Sequence, residues 1–227
     1  MSQLASSIAH ELNQPLGAIL RNAEAGELFL QDPPPDLDEV GAILADIRKD
    51  SQRAGEVIDR MRALMKQRQA ERRRLDLDLL SEETLALVQP DAERRRVRLV
   101  RENDRALPPV HGDRVQLQQV LLNLLLNAME ALGDNPPARR LVTVRTRSTN
   151  SMAEVTVSDS GCGISENELL RVFEPFFTSK PNGLGMGLAI SSSIIEAHGG
   201  RLWAENNVAG GTTFTFTLPA AKGSDTE

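Results

Sequence analysis

Apolar residues return every three or four positions along residues 2–30, and the run stops at Asp32-Pro33-Pro34-Pro35. Proline has no amide to donate and pushes its predecessor out of the helical region, so a helix is predicted to end there. A second run opens at Asp36, with Val40, Ile43, Leu44, Ile47, Ala54, Val57, Ile58, Met61 and Leu64 at helical and heptad spacings. The two runs predict a helical hairpin. Two helices alone bury little apolar surface, so the hairpin is expected to pair with a second copy as a dimeric four-helix bundle, making the protein a homodimer.

The Arg-rich, alternating stretch 72–79 changes the pattern, and a boundary is placed near residue 71. Strands are predicted at 97–101, 141–147, 154–158, 200–205 and 213–218, with helices at 81–89, 113–132, 166–172 and 186–198. That mixture predicts one sheet covered by helices, so the chain as a whole is α+β. The expected organisation is a hairpin over 1–70, an α/β unit over 71–220 and a small, polar, disordered tail over 221–227.

Composition narrows what such a protein does. A length of 227 residues suits two modest domains. A formal charge of -6 argues against a nucleic-acid partner, so the arginine clusters 72–74 and 94–96 read as solvated faces. The single cysteine, Cys162, excludes an internal disulfide and fits a reducing, cytoplasmic compartment; it reads as a small space-filler. No stretch approaches the roughly 18 consecutive apolar residues of a membrane span, and the N-terminus lacks signal-peptide order.

On a helix turning about 100° per residue, Leu4, Ile8, Leu12, Pro15, Leu16 and Ile19 form a stripe nearly opposite His10. A lone histidine is more often a satisfied core or cap residue, but this position predicts a solvent-facing one. Gln3, Ser6, Ser7, Asn13, Gln14, Gly17 and Arg21 share its side. The adjacent Glu11 can accept the Nδ1 proton and leave Nε2 with a free lone pair, so His10 is a candidate nucleophile. Pro15 is expected to bend or loosen the helix beyond it.

Four further segments carry candidate chemistry. The predicted helix 113–132 is rich in leucine, yet Gln116, Gln119, Asn123, Asn127 and Glu130 fall within about 80° of one another. Such a stripe either satisfies core hydrogen bonds or offers an oxygen ligand to Mg²⁺. Asp159-Ser160-Gly161-Cys162-Gly163 follows a predicted strand; its glycines allow close approach of a planar ligand and its carboxylate can accept from an exocyclic amine, although a plain turn has the same pattern. Gly183-Leu184-Gly185-Met186-Gly187 leads into a helix, where exposed amides suit phosphate oxygens and a flexible hinge is the competing explanation. Upstream lie Lys180, a charge for a terminal phosphate although a single lysine is more often merely solvated, and the concentrated Phe173, Phe176 and Phe177.

Ala9-His10-Glu11-Leu12-Asn13-Gln14-Pro15-Leu16 resembles the phospho-acceptor box of sensor histidine kinases in its Asn-Gln-Pro-Leu subgroup. Gln14 stands where many members carry the Thr or Asn that takes part in dephosphorylating the partner. Residues 119–131, 159–163, 173–180 and 183–188 resemble the N, G1, F and G2 boxes of the family's ATP-binding domain, a Bergerat-type α/β sandwich. Gly211-Thr212 resembles its closing adenine contact. These boxes, in family order, cover nearly the whole chain.

The resemblance implies ATP and Mg²⁺ as cofactors, with Asn127 on Mg²⁺, Asn123 near the phosphates and Asp159 on the adenine amine. Gly161, Gly163, Lys180, Gly183, Gly185, Gly187 and Thr212 complete the implied nucleotide site, and the segment from Phe173 to Gly187 is implied to be a mobile ATP lid anchored by its phenylalanines. The implied activity is autophosphorylation of His10, paired with Glu11, followed by transfer to an aspartate on a response regulator receiver domain. An input domain is expected in a longer parent chain, and any membrane anchor in segments outside these residues. Two other readings stay open. An ATP-hydrolysing conformational machine of the same fold is opposed by Asn123, which stands where related ATPases carry a glutamate base. A non-catalytic nucleotide-binding scaffold is opposed by the intact His10, Glu11 and Asn127.

Overall fold

The computed structural model describes the backbone of residues 2–31, 36–65, 71–103, 107–133, 135–149, 151–179 and 185–221, and the side chains of these except 2–14, 53 and 56–65. The chain divides into two compact units, Met1–Arg68 and Gln69–Glu227.

The first unit is a helical hairpin of α1 (Ser2–Gln31) packed on α2 (Leu37–Met65). Pro15 lies inside α1 without ending it. Asp36 caps the start of α2, its Oδ1 accepting the Glu39 amide at 3.1 Å. Gly26 faces the Ile43 side chain, so a small residue sits where the helices meet. Leu16, Leu20, Leu28, Leu30, Leu37 and Leu44 are all exposed in the single chain.

The second unit runs β1 (Arg73–Leu75), α3 (Leu77–Arg95), β2 (Arg98–Asn103), β3 (Val110–Gly112), α4 (Arg114–Glu130), a 3-10 turn at Pro137–Arg139, β4 (Leu141–Thr149), β5 (Met152–Asp159), α5 (Glu166–Leu169), α6 (Gly187–Ala197), β6 (Arg201–Asn206) and β7 (Thr212–Pro219). Five strands form a sheet in the order β2-β4-β5-β7-β6, parallel only between β2 and β4. Alternation sends Val142, Val144, Val155, Val157, Phe214 and Phe216 to one face, where Leu117, Leu121, Leu124 and Leu125 of α4 meet them. The result is the expected two-layer α/β sandwich following a helical unit.

Local boundaries differ from those predicted. The helix expected at 81–89 is α3, which begins at the Asp76 cap and passes through Pro90. Its N-terminus is held by Asp78, whose carboxylate accepts from Arg101 (2.6 Å), Asn103 (3.0 Å) and the buried Thr146 (3.0 Å). Strands β1 and β3 went unpredicted because three residues are too few to display alternation; they pair with each other, Leu75 opposite Val110. The helix predicted over 166–172 is only α5. A Ser165/Glu168 capping box opens it, and the chain then turns so that Phe173 meets Phe214 edge-on, ring centroids 6.3 Å apart.

Candidate nucleotide site

Helix α4 starts where Asp113 accepts the Val115 and Gln116 amides through Oδ1. Its leucines face the sheet, and its polar stripe falls on the edge of the core rather than within it: Gln116, Asn123 and Asn127 are half-buried, while Gln119 and Glu130 are exposed. Asn123 Nδ2 donates to Ser191 Oγ of α6 at 3.0 Å. Its Oδ1 lies so close to Gly187 that any Cβ there would collide with it. Glycine at 187 therefore serves the packing of α6 on α4 as well as any approach of a ligand.

At the end of β5, Asp159 is only 5% exposed, and its Oδ1 accepts both the Gly161 amide (2.8 Å) and the Thr212 amide (3.2 Å). Burial pushes its carboxyl above the usual range, and the two amide bonds only partly offset that. Gly161 packs on the C-terminal end of α4, since a Cβ there would stand 2.6 Å from the Ala131 carbonyl oxygen. Asn127 lies one helical turn from both Asn123 and Ala131, on the face that joins these two contacts. One helix thus brings together the 159–163 loop and the start of α6.

Residues that the sequence reading passed over hold this loop. Asn206 bonds both backbone groups of Ile164, Oδ1 accepting at 2.9 Å and Nδ2 donating at 2.5 Å, beside Gly163 with its φ of 79°. Asn207 Nδ2 donates to the Asp159 carbonyl at 2.9 Å, and Asn135 Nδ2 to the Ser160 carbonyl at 2.6 Å. The Thr212 side chain is buried and donates to Asn206 Oδ1 at 3.5 Å, so Thr212 meets Asp159 through its backbone. Cys162 is exposed, which corrects its reading as a space-filler: the loop points it outward.

The phenylalanine segment and the glycine segment meet where the Phe176 amide donates to the Gly185 carbonyl at 3.0 Å. Gly185 has a φ of 63° and its Cα abuts the backbone of Phe176 and Phe177, which no side chain would permit. Arg171 stacks its guanidinium over the Phe177 ring, 4.7 Å from the centroid. Lys180, Gly183 and the side chains of His10 and Glu11 lie outside the described residues. Among the described residues no cluster of three or more His, Cys, Asp or Glu could hold a metal. The half-buried Asn127 offers an amide oxygen, a donor of the type that fits Mg²⁺.

Two family profiles match the chain: the His Kinase A (phospho-acceptor) domain over residues 1–70, and the histidine kinase-, DNA gyrase B- and HSP90-like ATPase over residues 112–222. The solved catalytic domain of histidine kinase ThkA is 34% identical, with a TM-score of 0.60, over 66% of this chain and 96% of that one. The chain belongs to the histidine kinase family. Another relative of this histidine kinase core is the sensor protein FixL of Bradyrhizobium diazoefficiens, 43% identical over 97% of this chain and 44% of FixL. A structure of ThkA in complex with the response regulator protein TrrA matches with a TM-score of 0.71 at 27% identity, over 96% of this chain and 61% of that one. The kinase core spans less than half the length of the curated relatives it matches. No described helix is long and apolar enough to cross a membrane.

Proposed function

We propose that this histidine kinase core transfers the γ-phosphoryl group of ATP to its own His10 and then to an aspartate on a response regulator receiver domain. The observation that carries the nucleotide half is the joining, through α4, of the Asp159 loop to the start of α6 by way of Asn123 and Ala131. With Oδ1 of Asp159 taken by two amides, Oδ2 is the acceptor for the adenine amine. The first amides of α6 suit phosphate oxygens, because among the described residues no side chain caps that helix start. Lys180 supplies a further charge, and Asn127 would hold Mg²⁺, which when bound would neutralise charge on the transferring group.

At the acceptor, Glu11 takes the Nδ1 proton and Nε2 of His10 attacks the γ-phosphorus as the bond to the β-phosphate oxygen breaks and ADP leaves. Asn123 cannot take a proton from water, which disfavours the hydrolytic machine. The exposed leucines of the hairpin support a homodimer closed as a four-helix bundle. The ThkA–TrrA complex supports a receiver as partner; its docking surface is proposed to be the polar side of α1 around His10 and Gly17. We assign the hairpin to 1–70 and the ATP-binding unit to 71–220, and place both in the cytoplasm, with any membrane anchor outside these residues. Incubation with Mg-ATP is expected to give an acid-labile, alkali-stable phosphoprotein. A label stable to acid would contradict a phosphohistidine.

A further inference from the structure

We infer that Ser191 is a positioning residue for phosphoryl transfer, its buried hydroxyl anchoring the Asn123 amide against the start of α6. The inference rests on the reading that Asn123 borders the phosphates. Hydroxyl side chains inside helices ordinarily donate to the carbonyl four residues back, as Ser81 does to Leu77 (2.7 Å) and Thr84 to Leu80 (2.6 Å). Ser191 instead reaches across to α4 and accepts from Asn123 at 3.0 Å, in a position only 2% exposed.

Gly187 stands one turn before Ser191 on the same face of α6, so Asn123 touches that face twice: its nitrogen at Ser191 and its oxygen at Gly187. An amide has nearly the same shape either way round, and only hydrogen bonding distinguishes its ends. A hydroxyl can meet either end, so Ser191 anchors the amide in place, and the positive start of α6 favours the oxygen on its side. Turned over, the amide would set its positive end against the positive end of α6, where the phosphate oxygens are proposed to sit. The anchored amide thus sets both the local field and the spacing between α4 and the helix start, while Asp159, proposed to recognise the base, is held by separate bonds from Gly161 and Thr212.

Ser191 is therefore expected to act on the rate of transfer more than on nucleotide affinity. In the intact dimeric chain, single-turnover labelling from γ-labelled ATP is expected to slow roughly 3- to 10-fold in Ser191→Ala, the worth of one neutral hydrogen bond, with the half-saturating ATP concentration shifted less than about twofold. In an Asn123→Ala background, Ser191→Ala is expected to cost nothing further, because its effect passes through that amide. A wild-type rate in Ser191→Ala overturns the inference. So does an equal loss with and without Asn123, which marks a merely structural role. If Asn123→Ala itself labels normally, the placement of Asn123 beside the phosphates fails first.

Discussion

The two units of this chain stand in opposite states of completion. In the α/β unit the large side chains between α4 and the sheet are enclosed: Leu117, Leu124 and Phe216 have no exposed surface, while Leu87 and Leu170 lie on the outside. In the hairpin the comparable residues face outward, with Leu20 at 60%, Leu28 at 65% and Leu44 at 61% exposed. Apolar area left on water costs about 25 cal/mol per Å², so the outward leucines favour the proposed pairing of the hairpin with a second copy, while the α/β unit encloses a core of its own. The difference matches a division of labour in which a self-contained unit binds nucleotide and an assembled one presents the acceptor.

Four substitutions sharpen that contrast, from largest effect to smallest. Asp78→Ala leaves Arg101 only its pair with Glu82 and removes the acceptor of Asn103 and Thr146, and should destabilise the α/β unit by about 2–4 kcal/mol in denaturant unfolding at neutral pH. Burial raises the Asp78 carboxyl, but the hydrogen bonds from Arg101, Asn103 and Thr146 and the arginine charge outweigh it and hold the value below normal. A depressed folded value means the stabilisation is present above the unfolded pKa and fades as pH falls through the folded one, so the variant and the parent should converge in acid.

Leu20→Glu places a charge on the open face of the hairpin. It should weaken dimerisation by roughly 2 kcal/mol or more in sedimentation, while nucleotide binding by the other unit stays intact. Asp159→Asn should lower nucleotide affinity at least about tenfold by calorimetry without lowering the melting temperature. Its raised carboxyl pKa means that its stability contribution is present below the unfolded value and lost as pH rises through the folded one, so at neutral pH the charge is a cost that the amide removes. Gly26→Ala meets only an ordinary 3.5 Å contact with Ile43 and should stabilise the hairpin by up to about 1 kcal/mol.

Long, regular elements were readable in the sequence: the proline-bounded hairpin, the leucine face of α4 and the alternating strands β4, β5 and β7 all repeat a pattern often enough to show it. Short ones were not. Strands β1 and β3 exist through their pairing with each other, and α5 is shortened because Phe173 is drawn to Phe214. At the nucleotide site, the glycine and carboxylate segments were visible as motifs, yet the physical reasons at Gly185 and Gly187 are contacts with Phe176 and Asn123, which only the folded chain reveals. Asn206, Asn207, Asn135 and Ser191 carried no motif, since each acts across tens of residues on a backbone group or on one amide. An Asn-Asn pair before a Gly-Gly turn was the one available signal, and it indicated only a turn.

The central claim is that phosphoryl transfer ends on His10. Its most direct measurement is side-by-side incubation of the parent chain and His10→Gln with γ-labelled Mg-ATP, both shown by calorimetry to bind nucleotide equally. The account predicts a labelled parent and a His10→Gln chain with label reduced to background. Equal labelling of the two proteins would contradict it.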